Sequence, residues 1–508
     1  MRTFNSARNA VVSIGYLAVK TLLEFVLRTI FIKMLGSTYL GVNGLFSDIL
    51  MILNLAELGV GNAIIFNLYK PVAEKDTEKI KTLMAFYRKC YYTIAAVILV
   101  AGLCLMPFLE HLIKYDGEAI SHIHFIFLLY LLNSSLSYLA VYKSNLIVVN
   151  QKNYILNLTN TIFEIGLVIV QGITLLVFKN FYLYLFLLMA STITCNFVKS
   201  AIAQKMYPEE LRYKGAEKLE KNEKKHMLKD VYSLMLYRIG DVILNGTSSV
   251  ILSSFIGIGV VGIYSNYVLV INAARKVLIN IFNSVVASVG NLNADEKNKE
   301  RSLEIYYQMN FIAFILYGFC AVAIFCLVQH FINWWIGDGY LLPIWTVVLI
   351  VANLYIYGLN SISTMYRNTL GLFVKGRYRP LVGAVFNIAF SIYFAKTMGI
   401  TGVFLSTVLT NLVTTSWYDP RMILKYGFGL KPWRYFANMG YYIVALVSIA
   451  IASSYIISFI PQTSFLILFV DLFIVTAIFG GVVLLFFGRT KEFKGLISTV
   501  KVLFKRKK

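Results

Sequence analysis

Long apolar runs constrain this 508-residue chain more than any other feature. A bilayer crossing by a helix takes about 20 consecutive apolar residues. Runs of that length lie roughly at 10–34, 42–68, 90–110, 123–148, 155–178, 181–203, 231–255, 261–288, 305–330, 343–367, 380–396, 401–419, 436–459 and 464–487, which makes fourteen. The stretch from 155 to 203 exceeds one crossing, so a break is expected at Lys179-Asn180. Only 14% of residues are charged and 58% are hydrophobic, whereas a soluble domain has about a quarter charged. A cytosolic enzyme, a secreted disulfide scaffold and a disordered chain are all excluded. The first run carries Lys20, Glu24 and Arg28 and has no A-x-A exit. It reads as a retained first span rather than a cleaved signal.

The net charge is +22, from 47 basic and 25 acidic residues. In a soluble protein that excess would suggest nucleic acid; here it follows topology. With the N-terminus inside, about 37 of the basic residues fall in cytoplasmic segments, and the external segments hold only Lys33, Lys114, Lys179 and Lys396. Basic residues concentrate on the cytoplasmic side of membrane proteins. The bias therefore predicts an even number of spans, both termini cytoplasmic, and no nucleic-acid partner. The two most basic segments are Lys199–Lys229 and the tail ending Lys505-Arg506-Lys507-Lys508, and both read as topology signals.

A weak internal repeat appears at an offset of 218 residues. Gly41–Asn54 reads GVNGLFSDILMILN and Gly259–Asn272 reads GVVGIYSNYVLVIN, with five of fourteen positions identical. The same offset takes Lys20 onto Arg238 and Glu57 onto Arg275. Pairing span 1 with span 7 puts six spans in each unit, so both units share one orientation. That is a parallel repeat about an axis along the membrane normal. The expected fold is all-α and polytopic: fourteen helices, in two six-helix lobes plus two C-terminal helices. The expected segments are an N-terminal lobe at 1–203, a basic cytoplasmic linker at 204–230 and a C-terminal lobe at 231–419. Spans 13 and 14 follow at 420–487, and a basic cytoplasmic tail at 488–508.

Ionisable residues inside spans are costly and face a bundle interior or a wet cavity. Lys20, Glu24 and Arg28 stand four apart on one face of span 1, with Asn9, Ser13 and Tyr16 extending the stripe. Span 7 carries Arg238, Asp241, Asn245 and Ser249, and span 8 carries Arg275 and Lys276. Span 2 supplies Asp48 and Glu57; span 5 supplies Asn157, Asn160, Thr161 and Glu164. Lys143 at the inner end of span 4 can snorkel. Two readings stay open. The charges are helix-joining pairs, such as Lys20–Glu24, Glu24–Arg28 and Arg238–Asp241. Alternatively the cations on spans 1, 7 and 8 form a patch for an anionic headgroup, since arginine bonds phosphate bidentately and lysine serves as a point charge.

No site for covalent chemistry is visible, so the chain reads as no enzyme, with no catalytic residue, cofactor or metal. Gly371–Arg377 (GLFVKGR) approaches a P-loop but lacks the Lys-Ser/Thr ending and a preceding strand. The five histidines form no HExxH motif, and the five cysteines show no CxxC spacing and read as packing residues. Without a nucleotide site, the energy would come from a membrane potential or an ion gradient. Glu24, Asp48, Glu57, Glu164 and Asp241 are the candidate ion-coupling or charge-pairing carboxylates.

The opening Leu35-Gly36, Tyr39-Leu40-Gly41 and Asn54-Leu55-Ala56-Glu57-Leu58-Gly59-Val60-Gly61 resembles the start of Wzx-type bacterial polysaccharide repeat-unit flippases. These belong to the multidrug/oligosaccharidyl-lipid/polysaccharide exporter superfamily. Trp334-Trp335-Ile336-Gly337, Tyr340-Leu341-Leu342-Pro343 and Lys375-Gly376-Arg377-Tyr378 extend the resemblance, which spans essentially the whole chain. It implies a V-shaped pair of lobes around a cationic cavity in the bacterial cytoplasmic membrane. There Lys20, Arg28, Arg238 and Arg275 would bind the diphosphate of an undecaprenyl-diphosphate-linked oligosaccharide. The substrate would pass from the inner to the outer leaflet by alternating access, for capsule, O-antigen or exopolysaccharide assembly, alongside a polymerase and other assembly proteins. The alternatives are a peptidoglycan-precursor flippase or a multidrug exporter of the same superfamily, and then a membrane polymerase. A polymerase would carry a large external loop rich in Arg and His, which is absent here. Multidrug members mostly take cations, which the basic excess disfavours.

Overall fold

A computed structural model describes residues 2–57, 60–115, 120–213, 219–220, 227, 239–240, 242–243, 246–294, 298–372, 376, 378–462 and 464–505. Among these residues the regular structure is helical and no strand forms, as burial of backbone polar groups in lipid requires. Ten of the described helices are long and apolar enough to cross a bilayer, and the chain is a multi-pass membrane protein. It divides into two compact units, Met1–Gly262 and Ile263–Lys508.

The first unit opens with α1 (Arg2–Leu53), which contains the first expected span and the start of the second. The joint between them is Gly36, with φ 79° and ψ −175°. That backbone is strained for residues with a Cβ, so glycine is what lets the helix kink here. The second span is itself broken. A 3-10 turn at Asn54–Ala56 follows α1, and the helix resumes as α2 (Val60–Glu74). Then come α3 (Thr77–Leu105), the short α4 (Leu109–Leu112), α5 (Ile123–Val141) and α6 (Ser144–Val149), followed by α7 (Asn153–Phe178) and α8 (Phe181–Met206).

The Lys179-Asn180 break is present, and its chemistry is local. Lys179 ends α7 in the left-handed region, with φ 48°. The Asn180 side chain then caps α8 by accepting from the Leu183 amide at 3.0 Å, satisfying a donor the helix start leaves open. Asp76 caps α3 in the same way, accepting from Lys79 N at 2.9 Å.

Part of the seventh expected span, including Arg238 and Asp241, lies outside the described residues, while 246–255 is helical. The stretch of chain around the end of α4 ties to this segment: Lys114 N donates to Ser253 O at 3.0 Å, and Ser254 Oγ to Leu112 O at 3.1 Å. Small residues allow a close backbone approach nearby. A Cβ on Gly41 would collide with the Ile258 carbonyl, and one on Gly262 with the Ser37 carbonyl. These two glycines belong to the repeated segments, and small residues at helix crossings are how membrane helices pack tightly. An apolar core with a tyrosine edge, including Ile64, Leu68, Leu83, Met84, Tyr87, Tyr91, Leu146 and Ile147, fills the unit where α2, α3 and α6 meet.

The second unit takes in most of α9 (Ile258–Asn283). It continues with α10 (Val286–Ala294), α11 (Lys299–Ile336), α12 (Ile344–Thr369), α13 (Arg379–Met398) and α14 (Ile400–Met422), then α15 (Trp433–Ile457), α16 (Ile467–Val482) and α17 (Lys491–Lys505). Helix α11 is its centre, packing on α12, α15, α16 and α17. Phe311 and Phe314 of α11 anchor that packing; Phe314 stacks on Tyr442 with ring centroids 4.4 Å apart. Pro420 lies inside α14, and a π-helical turn at Ile423–Gly427 follows it. Proline removes a backbone donor and clashes with the preceding turn, which loosens the helix there.

Candidate functional site

The polar stripe on α1 meets α7. Asn157 Nδ2 donates to Ser13 Oγ at 2.8 Å, and seven residues further along both helices Lys20 Nζ donates to Glu164 Oε1 at 2.8 Å. Equal steps of seven in the same sense mean that the two helices run parallel. Tyr16 Oη also donates to Glu164, at 2.7 Å. Glu24, one turn from Lys20, stands at 4.0 Å. The side chains of Lys20 and Glu164 are 32% and 28% exposed, so the pair is partly screened. Lys20 does pair with Glu24 as its spacing suggests, but its shorter bond goes to a helix 144 residues away.

Arg28 is half-buried, with Glu24, Tyr130 and Tyr184 as its electrostatic neighbours. Tyr130 belongs to a second stripe, which sequence reasoning missed. Helix α5 presents Tyr130, Ser134 and Tyr138 at intervals of four. Tyr130 Oη donates to Asn43 Oδ1, Ser134 Oγ donates to Asn54 Oδ1 at 2.9 Å, and Tyr138 lies in the electrostatic range of Glu57. Hydroxyls at i, i+4 and i+8 were visible in the sequence, but a search for charges passes over them. Glu57 itself occupies the break in the second span, close to the Tyr91 side chain, with its Oε1 against Gly61. Asp48 hydrogen-bonds Ser249 of the 246–255 helix.

In the second unit Arg275 of α9 lies over the Tyr357 ring of α12, with its guanidinium carbon 3.9 Å from the centroid. No ion pair involving Arg275 forms among the described residues. A cation held on a π face keeps its charge. Arg238 and Asp241 lie outside the described residues.

Two further charged clusters sit in this unit. Arg367 of α12 donates to Asp419 Oδ2 at 3.0 Å, and Arg379 at the start of α13 forms an ion pair with the same oxygen. Asp419 is fully buried. By sequence Arg367 ends the 343–367 run and Arg379 lies in the loop after it; in the structure they clasp a buried carboxylate where α12 ends, α13 begins and α14 ends. The signal was Asp419 itself, the last residue of the 401–419 run. The second cluster pairs His330 of α11 with Asp471 of α16, at 4.0 Å.

No protein-family model and no curated protein sequence matches the chain. Solved structures do match, and they establish the fold. The lipid II flippase MurJ in an inward closed conformation superposes with a TM-score of 0.61 at 13% identity, covering 95% of this chain and 99% of that one. An inward-facing multidrug-resistance MATE transporter of the MOP superfamily gives 0.59 at 15% identity, covering 81% and 98%. A mutant of the Vibrio cholerae MATE transporter VcmN gives 0.56 at 15% identity, covering 84% and 97%. The chain therefore has the MATE/MurJ-type transporter fold.

Proposed function

We propose that this protein flips undecaprenyl-diphosphate-linked oligosaccharide repeat units from the inner to the outer leaflet of the bacterial cytoplasmic membrane. The six-helix lobes at 1–203 and 231–419 alternate access, both termini are cytoplasmic, and the product feeds cell-surface polysaccharide assembly. The observation that carries this reading is Arg275, a cation in a membrane helix that rests on Tyr357 with no ion pair among the described residues. A diphosphate leaving water loses strong solvation, and fixed cations offset that loss. A guanidinium adds bidentate bonds to the phosphate oxygens. Arg28 and Lys20 share the task, although Glu24 and Glu164 balance much of their charge in this state. Arg238 completes the set of four.

The peptidoglycan-precursor reading has one observation in its favour: the lipid II flippase MurJ covers about a tenth more of this chain than the two exporters do. A cationic drug as cargo is disfavoured by Arg275, which has no ion pair among the described residues. Deleting the gene and isolating the lipid-linked intermediate that accumulates separates these readings. A repeat-unit intermediate supports ours, and accumulation of lipid II alone refutes it. Arg275→Ala should weaken headgroup binding roughly 10- to 150-fold, the loss of one charge-assisted bond of about 1.5–3 kcal/mol. Arg275→Lys keeps the charge without the fork and should retain part of the activity.

A further inference from the structure

Among the described residues the second unit contains two fully buried carboxylates, Asp419 and Asp471, and they are treated differently. Asp419 is clasped by Arg367 and Arg379, which carry charge at every physiological pH. Asp471 has no such clasp. It sits in the apolar run ILFVDLFIV of α16 with its side chain 0% exposed. Neither carboxylate oxygen makes a hydrogen bond of good geometry among the described residues, although the Gln462 side chain approaches Asp471 as a donor, and Nδ1 of His330 makes none. His330 is its imidazole neighbour, 4.0 Å away and charged only when protonated, and its side chain is 36% exposed. Histidine is the one side chain whose ordinary charge change falls near neutral pH. A buried, unclasped carboxylate beside a part-exposed imidazole is a poor structural staple and a good place to hold a proton.

The surroundings fit that use. Asp471 is the fifth residue of α16, and His330 lies within two turns of the α11 C-terminus, so the pair sits close to one membrane face. The lysine–arginine bias marks that face as external. Trp334 of α11 packs on Phe465 before α16 with centroids 4.3 Å apart, in the aromatic zone that borders water. Cys326, one turn deeper on α11, is another titratable group facing Asp471 among the described residues. Helix α15 presents Ser454, 3.6 Å from Cys326 Sγ, and the turn before α16 presents Gln462; neither titrates. No group of three or more metal-ligating side chains occurs among the described residues.

We propose that His330 and Asp471 form a proton-binding site, open to the outer face, that couples a pH gradient to transport. A proton from external water binds one ring nitrogen of His330. The proton on Nδ1 passes to Oδ2 of Asp471 once the gap closes or a water bridges it. The imidazole returns to neutral and the carboxylate becomes a neutral acid, so one proton moves and no other group changes. Neutralising Asp471 removes the only formal charge on α16. The helix is then free to repack against α11 and α15.

The coupling half of this proposal rests on the transport reading; the proton site does not, and two measurements keep them apart. The first needs no substrate. Infrared difference spectra of the protein in nanodiscs, recorded between acid and alkaline pH, should contain a protonated-carboxyl band that is lost in Asp471→Asn and displaced in His330→Gln. Spectra of wild type and Asp471→Asn that superimpose would overturn the site. The second uses proteoliposomes with an imposed pH gradient and the lipid-linked intermediate that accumulates on gene deletion. The apolar double variant His330→Leu/Asp471→Leu removes the charges together, so it avoids an orphaned ion. We expect it to insert and fold and to lose its response to the pH gradient. A normal pH-gradient response in the double variant would make the pair structural and overturn the coupling. A sodium gradient in place of the pH gradient should drive no transport through wild type; sodium-driven transport that Asp471→Asn abolishes would also overturn it.

Discussion

Removing Lys20 tests whether the α1–α7 junction is a staple or part of the headgroup site. Glu164 accepts from Lys20 at 2.8 Å and from Tyr16 at 2.7 Å, so Lys20→Ala leaves it with one donor. Breaking a fully buried ion pair costs about 3–5 kcal/mol, and an exposed pair contributes about 0.2–1 kcal/mol. With both side chains near 30% exposed, the single replacement should cost about 1–2 kcal/mol. Lys20→Ala/Glu164→Ala orphans no charge, so the coupling energy in a double-mutant cycle should be about 1 kcal/mol. Reversible unfolding in mixed micelles measures the cycle, and export of the lipid-linked intermediate in cells measures function. The staple alone predicts that the double variant regains both folding and export. The headgroup role predicts that it regains folding and stays inactive. A coupling energy below about 0.3 kcal/mol would refute the ion pair, and restored export would refute the role of Lys20 in binding.

Asp419→Ala leaves Arg367 and Arg379 buried side by side; it should cost about 3–5 kcal/mol and sharply reduce the folded yield seen by size-exclusion chromatography, whereas an unchanged yield would show the trio to be dispensable. Gly41→Ala pushes a methyl group into the Ile258 carbonyl and should destabilise by at least about 1–3 kcal/mol, read as a lower unfolding midpoint; the wild-type midpoint would refute the close crossing. Cysteine labelling of intact cells, on a Cys-free background, should reach a cysteine at Gly337 and fail to reach one at Lys221. The opposite pattern would invert the topology. Asn180→Ala removes the cap on α8 and should cost about 1 kcal/mol, measurable in the same micelle assay.

The sequence determined what is local or averaged over the chain. Spanning runs follow from composition and length, because hydrocarbon admits any sufficiently apolar helix. The break at Lys179-Asn180 follows from run length and a capping side chain, and it needs no distant partner. Helical periodicity placed Ser13, Tyr16, Lys20, Glu24 and Arg28 on one face of α1. What that face meets was a different question. Lipid-facing and helix-facing apolar residues look alike in sequence, so nothing there says which helix packs on which. Only the tertiary structure gave Lys20 to Glu164 as well as Glu24, gave Asp419 to Arg367 and Arg379, and set Asp471 beside His330. A charge in a membrane helix announces that it needs a partner, because solvation is absent there. The partner is chosen by packing between residues far apart in the chain, and a single sequence holds no local trace of that choice.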